Sequence, residues 1–322
     1  MVSELTQAAD TAVFDVGGEE VSCHMDDAFS KLRRKYSVSN TFLKEFSFDS
    51  LKLFGGKGGN LMAFTANKRF LVKELSDGDH GSLLTHARAI VGHMTDGPTL
   101  IVPMFLHFTR PKNGRPYLVM LNCLPTHRGI IWHKRYDLKG NRDDKLMEED
   151  GEDIPEVHKR CFAVHKCWYG CDVIPLCNTP ARKRYYQGKV EAFTTTFNMS
   201  EQHAKSIVGA VKADTDLFRG LGLMDYSMIC GIIKQGQSDP VPPAEGLYQF
   251  VLQNYDGATY IYYLGIIDFL QEWTSTKVIA AALKAPLAPK PLSTVPPPKY
   301  ADQFYSAMEH KFKAENAASS RV

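Results

Sequence analysis

Two carboxylates in this sequence stand where a carboxylate is expensive. Asp225 lies within Leu223-Met224-Asp225-Tyr226-Ser227-Met228-Ile229-Cys230, and Asp268 closes Tyr263-Leu264-Gly265-Ile266-Ile267-Asp268. Both runs are strongly apolar, and an unpaired carboxylate inside one costs on the order of several kcal/mol. A bound metal ion or a transferred proton would justify the placement, while a turn or helix cap is the plainer reading of either one alone. Lys73 raises the same question in the run Phe70-Leu71-Val72-Lys73, where it either faces a cleft or points to solvent from an edge strand. Upstream stands Gly55-Gly56-Lys57-Gly58-Gly59. Glycines in a turn between strands let backbone N–H groups reach phosphate oxygens with no Cβ in the way, although a flexible turn has the same composition. A glycine loop, a strand lysine and two carboxylates, in that order, fit phosphoryl transfer better than unrelated structural roles.

The elements that must hold these residues can be read from periodicity. Helical spacing at Phe29, Leu32 and Tyr36 predicts a helix within 26–46. Leu61–Phe64 and Arg69–Leu75 flank a four-residue turn and predict a β-hairpin. A helix around Leu83–Val91 follows, then strands at Thr99–Phe108 and Pro116–Leu121. Beyond Leu124 the reading is an acidic loop at Asp143–Glu156, a helix at Ser200–Leu217 and a buried strand at Leu223–Ile233. A hairpin (Leu247–Gln253, Thr259–Ile267) turning at Asp256-Gly257 comes next, and a helix from about Pro298 to Lys313 closes the chain. A strand-rich first third and a mixed remainder predict an α+β, two-lobed chain with a cleft.

Composition bounds the partners. The 322 residues are 44% hydrophobic and 23% charged, globular values. Lys+Arg at 38 against Asp+Glu at 36 gives +2, which excludes a wholesale basic nucleic-acid binder and an acidic disordered chain. Seven cysteines in such a length are no disulfide scaffold, the first residues lack signal-peptide character, and no apolar run approaches the roughly 18–20 residues needed to span a bilayer. A cytoplasmic chain, peripheral on the cytosolic face of membranes if it meets them at all, is the expectation.

The order and spacing of Tyr136-Asp137-Leu138-Lys139-Gly140, Met224-Asp225-Tyr226-Ser227, Ile266-Ile267-Asp268 and the closing Ser293-Thr294-Val295-Pro296…Tyr300…Phe304 resemble the phosphatidylinositol phosphate kinase family, over about residues 20–313. The resemblance implies a two-lobed, protein-kinase-like α+β fold with an antiparallel N-lobe sheet and a mixed C-lobe. It implies a tail at 1–19, an N-lobe at 20–124, a C-lobe at 125–315 with an activation loop at 273–301, and a tail at 316–322. By the same resemblance Gly56, Lys57, Gly58 and Gly59 form the phosphate-binding loop, Lys73 grips ATP, and Leu121 and Asn122 belong to the hinge against adenine. Asp225 is the catalytic aspartate, Asp268 the Mg²⁺ ligand, and Lys139 the lysine near the transferred phosphate. Asp79 is the counterpart of the helix acid that pairs with the strand lysine. An ordinary protein kinase is disfavoured: no G-x-G-x-x-G precedes Lys73, and H-R-D-L-x-x-x-N and D-F-G are both absent.

From Trp273 to Ala301 there is no Asp or Glu, while Lys277, Lys284, Lys290 and Lys299 all fall there. Read as a helix over Trp273–Ala285, this segment sets Lys277 and Lys284 opposite Val278, Ile279, Ala282 and Leu283, suited to an anionic bilayer or a phosphorylated headgroup, or simply to packing with solvated lysines. The resemblance favours the first and names a membrane phosphoinositide as substrate, with a homodimer as an assembly it allows. The expected activity is 1-phosphatidylinositol-4-phosphate 5-kinase. Alternatives are a phosphatidylinositol-5-phosphate 4-kinase, in which Ala280 has its counterpart, a soluble inositol polyphosphate kinase, and a catalytically inactive phosphoinositide-binding scaffold. His158, Cys161, His165, Cys167, Cys171 and Cys177 are dense soft ligands, but no standard zinc spacing joins them, and buried reduced thiols are the preferred reading. The basic runs Lys31–Lys35 and Arg182–Arg184 are read as solvated faces, or as a membrane footprint if coplanar with the loop.

Overall fold

Buried and exposed residues alternate along the first strands, with Phe14, Val16, Val21 and Cys23 turned inward, so each presents one apolar face that must be covered. The computed structural model describes residues 12–53, 60–124, 130–156, 179–236, 248–253, 258–278, 291 and 294–314. They form a mixed α/β chain with antiparallel sheets, dividing into two compact units: one to Asp96 plus Pro103–Asn122, the other Gly97–Val102 plus the chain from Cys123.

The first unit holds β1 (Val13–Val16), β2 (Glu19–Cys23), α1 (Asp26–Lys35), β3 (Lys52–Leu53), β4 (Leu61–Phe64), β5 (Phe70–Glu74), α2 (Asp77–Asp96), β6 (Met104–Arg110) and β7 (Arg115–Leu121). Its seven strands make one sheet in the order β1-β2-β6-β7-β5-β4-β3, antiparallel throughout. Residues 13–16, expected as tail, supply its edge. The helix expected over 26–46 stops early. Ser37 takes φ 51° and the Val38 N–H returns to the Arg33 carbonyl at 2.8 Å, which reverses the chain. Asp26 and Asp27 open α1 and Arg33, Arg34 and Lys35 close it, matching the helix dipole.

The basic run at Lys31–Lys35 is a solvated face only in part: Lys31, Arg34 and Lys35 are exposed, and Arg33 is not. Arg33 is buried, held by Asp26 at 2.8 and 2.9 Å, Asn40 Oδ1 at 3.0 Å and the Phe105 carbonyl at 2.7 Å. Lys35 donates to the Met94 carbonyl at 2.7 Å. Helix charges near a sheet find carbonyls as readily as water, which composition does not show.

The second unit holds β8 (Lys134–Leu138), β9 (Lys145–Glu149), β10 (Glu152–Asp153), α3 (Pro180–Thr194), β11 (Phe197–Met199), α4 (Glu201–Leu221), β12 (Leu223–Met224), β13 (Ser227–Lys234), β14 (Tyr248–Gln253), β15 (Thr259–Ile267), β16 (Gln271–Glu272), α5 (Pro297–Lys311) and β17 (Phe312–Ala314). Six of its strands form an antiparallel sheet, β10-β9-β8-β13-β15-β14. Ser200 caps α4 by accepting the His203 N–H at 3.3 Å, and Gly222 ends it at φ 70°.

Three expectations change here. The acidic loop is a hairpin, β9–β10, whose acids are paired: Glu149 with Lys134 at 2.8 Å and with Arg184, and Glu148 with Arg135 at 3.1 Å. Arg182 in the second basic run is buried, its Nη2 3.2 Å from Tyr186 Oη. The strand expected over Thr99–Phe108 begins only at Met104. Residues 99–102 belong to the second unit, where Asp214 accepts the Leu100 N–H at 2.8 Å and Ile101 bridges Ile266.

Trp132, Leu124, Ile229, Ile233, Ile261 and Tyr263 form a buried cluster in this unit. Gly231 lies against it so closely that a Cβ there would stand 2.5 Å from the Trp132 ring and 2.9 Å from Leu124. Gly231→Ala is therefore expected to lower stability by about 1–3 kcal/mol through overpacking. A thermal midpoint unchanged from the parent chain would show that the ring moves aside freely.

Candidate active site

Strand register assembles the chemistry of the second unit. Met228 of β13 pairs with Leu138 of β8 on one side and Ile266 of β15 on the other. Lys139 is the residue after Leu138, Asp225 precedes Met228 by three, and Asp268 follows Ile266 by two. All three are thereby brought to one end of the sheet. The run Leu223–Ile233, expected as one strand, is broken at this point into β12 and β13, and β12 resumes pairing with β16 at Met224 and Gln271. Asp225 and Asp268 occupy the interruption on its two sides, at φ 63° and 58°. Positive φ is uncommon for a side-chain-bearing residue, and aspartate is among the few that adopt it readily. Asp268 is exposed although Ile266 and Phe269 beside it are buried.

Lys139 and Asp225 are in contact. The ammonium donates to Asp225 Oδ1 at 2.6 Å and to the Asp225 carbonyl at 2.9 Å. Desolvation works to lower the Lys139 pKa, but the negative charges of Asp225, Asp137 and Asp268 outweigh it and hold the group above its ordinary value. It is a cation at neutral pH. Asp137, two residues back on β8, is 3.4 Å from Lys145, which also reaches Glu156 at 3.1 Å. Asp137 Oδ1 is buried with no hydrogen-bond partner among the described residues.

The loop after β8 ties itself down. Asp144, fully buried, accepts the N–H groups of Lys139 at 2.6 Å and Asn141 at 3.3 Å. The Asn141 amide donates to the Lys139 carbonyl at 3.2 Å and its Oδ1 accepts from the Asp143 N–H at 2.8 Å. Gly140 has φ 69°, and a Cβ on it would come within 2.7 Å of Ala307 on α5. The closing helix also holds the other loop: Tyr300 Oη donates to the Tyr226 carbonyl at 2.5 Å, and the Tyr300 and Phe304 rings pack on Tyr226 at 4.8 and 4.9 Å. Residues 136–140, 224–227 and 300–304, far apart in sequence, are thus one packed assembly.

In the first unit Lys73 lies on β5, between β4 and β7, which removes the edge-strand reading of it. It alternates with buried Val72 and is half-buried itself. Leu121 ends β7, its N–H on the Pro103 carbonyl at 2.8 Å. Asn122 follows, bonded through its N–H to the Arg69 carbonyl and through its amide to the Lys68 carbonyl, at 2.8 and 2.9 Å. Asp79 falls in the first turn of α2. Gly56, Lys57, Gly58, Gly59, Lys284, Lys290 and the Cys/His stretch at 158–177 lie outside the described residues. Residues 275–278 are helical, with Lys277 half-buried and Val278 exposed.

Sequence reasoning missed Asp137, Lys145, Asp144 and Lys311 as supports of the site. Lys311 Nζ lies 3.2 Å from Asp144 and donates to the Ala192 carbonyl at 2.6 Å. The only prior signal was an acid-rich segment, which reads as solvated.

The donor set at the sheet end suits a hard cation. The two carboxylates offer oxygen, and Asp268 presents its own at the surface, the ligand type Mg²⁺ takes.

Comparison with known proteins gives the family. The family model described as Phosphatidylinositol-4-phosphate 5-Kinase matches residues 47–246 and 240–311. A phosphatidylinositol 4-phosphate 5-kinase of Schizosaccharomyces pombe is 22% identical over 329 residues, covering 80% of this chain and 41% of its own. Phosphatidylinositol 4-phosphate 5-kinase 3 of Arabidopsis thaliana is 23% identical, covering 87% and 42%. Phosphatidylinositol 5-phosphate 4-kinase type-2 gamma of Danio rerio is 21% identical, covering 88% and 75%. The chain therefore spans about two fifths of the length of the yeast and plant relatives. With the family model matching most of its length and the motif residues gathered at one sheet end, the chain belongs to the phosphatidylinositol-4-phosphate 5-kinase family.

Proposed function

We propose that this chain is an ATP-dependent lipid kinase that phosphorylates the inositol ring of a phosphatidylinositol monophosphate, with the 4-phosphate as acceptor and the 5-hydroxyl as the reacting group. The observation that carries the reading is the Lys139–Asp225 contact at 2.6 Å, beside the exposed Asp268 and inside the family's own motifs. The two compact units act as the lobes of a kinase-like fold. Lys73 and the glycine loop hold the phosphates of ATP, and Leu121 and Asn122 meet adenine. Asp268 would hold Mg²⁺, which would supply charge neutralisation for the transferring phosphates.

Asp225 orients the inositol hydroxyl and takes its proton as the oxygen attacks the γ-phosphorus. The bond to the β–γ bridging oxygen breaks and ADP leaves. Lys139 holds Asp225 in position and offers its charge to the transferred phosphoryl group. Lys277, Lys284 and Lys290 would meet the anionic bilayer, and the exposed Val278 beside Lys277 supports contact with its apolar layer. Among the described residues no helix is long and apolar enough to cross a membrane. A 5-phosphate 4-kinase is the second reading, favoured by Ala280.

ATP turnover on liposomes carrying each phosphatidylinositol monophosphate in turn, with product isomers resolved, decides between them. The expected result is the 4,5-bisphosphate made from the 4-phosphate at a rate at least about tenfold above the 5-phosphate, a difference of ~1.4 kcal/mol in transition-state binding. The reverse order would establish the 4-kinase reading, and turnover of soluble inositol phosphates alone would remove both.

A further inference from the structure

Three histidines distant in sequence meet in the first unit, and none of them is assigned above to catalysis. His24 follows β2, His80 lies in the first turn of α2 and His107 is on β6. Their ring centroids are 4.7 Å (His24–His107), 4.9 Å (His80–His107) and 5.2 Å (His24–His80) apart. One ligating nitrogen from each lies within 4.8 Å of the other two. The backbone fixes the group, with the His24 N–H on the His107 carbonyl and the His80 N–H on the Ser76 carbonyl, both at 2.8 Å.

A core of this kind is costly if it only packs. Each neutral imidazole carries one donor and one acceptor. His80 Nδ1 and His107 Nε2 satisfy one another at 2.8 Å, and His24 Nε2 meets Thr109 Oγ1 at 2.8 Å. His107 is completely buried, yet its Nδ1 has no hydrogen-bond partner among the described residues. An apolar side chain would avoid that loss. Three imidazole nitrogens this close to one another are instead three of the four donors that a tetrahedral zinc site uses. At Zn–N distances of roughly 2.0–2.1 Å the ligand nitrogens stand about 3.3–3.4 Å apart. Small ring rotations, and an opening of the His80–His107 hydrogen bond, reach that spacing.

We propose that His24, His80 and His107 form a site for a divalent transition-metal ion of the Zn²⁺ class, with water beside Thr109 Oγ1 as the fourth donor. Imidazole nitrogen selects zinc, cobalt or nickel over magnesium, so this site and the carboxylate end of the other sheet take different ions. The ion would cross-link β2, β6 and the start of α2.

The test uses the purified full chain, stripped with a chelator and titrated with Zn²⁺ and, in parallel, Co²⁺. Residues 158–177 contain other soft ligands, so the readout is the difference between variants. His24→Gln and His80→Gln are only half-buried positions, and circular dichroism checks that they fold. Each is expected to lose one equivalent of bound metal, or at least about 10²-fold in affinity, since even outer-shell changes cost about 10–100-fold. The zinc-dependent rise in melting temperature seen with the parent chain should vanish with it. The cobalt spectrum assigned to this equivalent should lack thiolate charge-transfer absorption. If the stripped parent chain binds no Zn²⁺, or if both variants keep its stoichiometry and affinity, the cluster is three packed histidines and nothing more.

Discussion

Asp225→Asn is expected to reduce lipid phosphorylation by about 10³-fold or more while leaving the protein folded, a loss of ~4 kcal/mol of transition-state stabilisation. Asparagine is the discriminating replacement because of the backbone. Asp225 stands at φ 63°, a region asparagine shares with aspartate and alanine does not, so alanine would add strain to lost chemistry. The asparagine oxygen can still accept from Lys139, which remains flanked by Asp137 and Asp268. What disappears is the basicity that takes the hydroxyl proton. Asp268→Asn, at φ 58°, isolates the proposed metal ligand in the same way, and partial recovery at raised Mg²⁺ should set it apart from Asp225→Asn. Turnover on liposomes with melting curves as the folding control provides the measurement. Asp225→Asn activity within tenfold of the parent would mean that another group accepts the proton.

Lys311→Met is expected to destabilise the second unit by about 3–5 kcal/mol, the usual loss when one member of a buried ion pair is removed. Asp144 and Lys311 are both buried, 3.2 Å apart. Burial raises the Asp144 carboxyl above its ordinary range despite Lys311 and two backbone N–H groups, and it lowers Lys311 despite Asp144. Desolvation outweighs attraction for each partner, so the pair contributes little net stability, yet either charge left alone is worse. Adding Asp144→Asn to Lys311→Met should therefore restore part of the loss, because the amide oxygen still accepts from Lys139 and Asn141. Urea unfolding of both single variants and the double variant measures the coupling. Strict additivity, or a Lys311→Met cost below about 1 kcal/mol, would show that the pair is solvated in practice.

What could be read from the sequence was what periodicity and apolar context encode. The β4–β5 hairpin, the extent of β15 and the anomalous Asp225 and Asp268 all stand out against hydrophobic neighbours. The break that divides Leu223–Ile233 does not, because it depends on a positive φ that aspartate adopts without any glycine to announce it. The β9–β10 hairpin was invisible for another reason: its acids are matched by Lys134, Arg135 and Arg184 from elsewhere in the chain. Arg33 and Arg182 were misjudged alike, since a charged side chain reads as solvated until the groups that receive it are located. The three histidines share no motif, and only the pairing of β2 with β6 and the start of α2 brings them together.

The hydrogen bond from Tyr300 to the Tyr226 carbonyl bears on when, during synthesis, the catalytic apparatus comes into being. Lys139, Asp225 and Asp268 have all been made once residue 268 is added. The side chains that clamp the Asp225 loop and fill the space over Gly140 are not made until Tyr300, Phe304 and Ala307 emerge from the ribosome. A nascent chain halted between these points carries the chemical groups without the helix that fixes them. The helix that fixes this loop is thus made after the residues it holds.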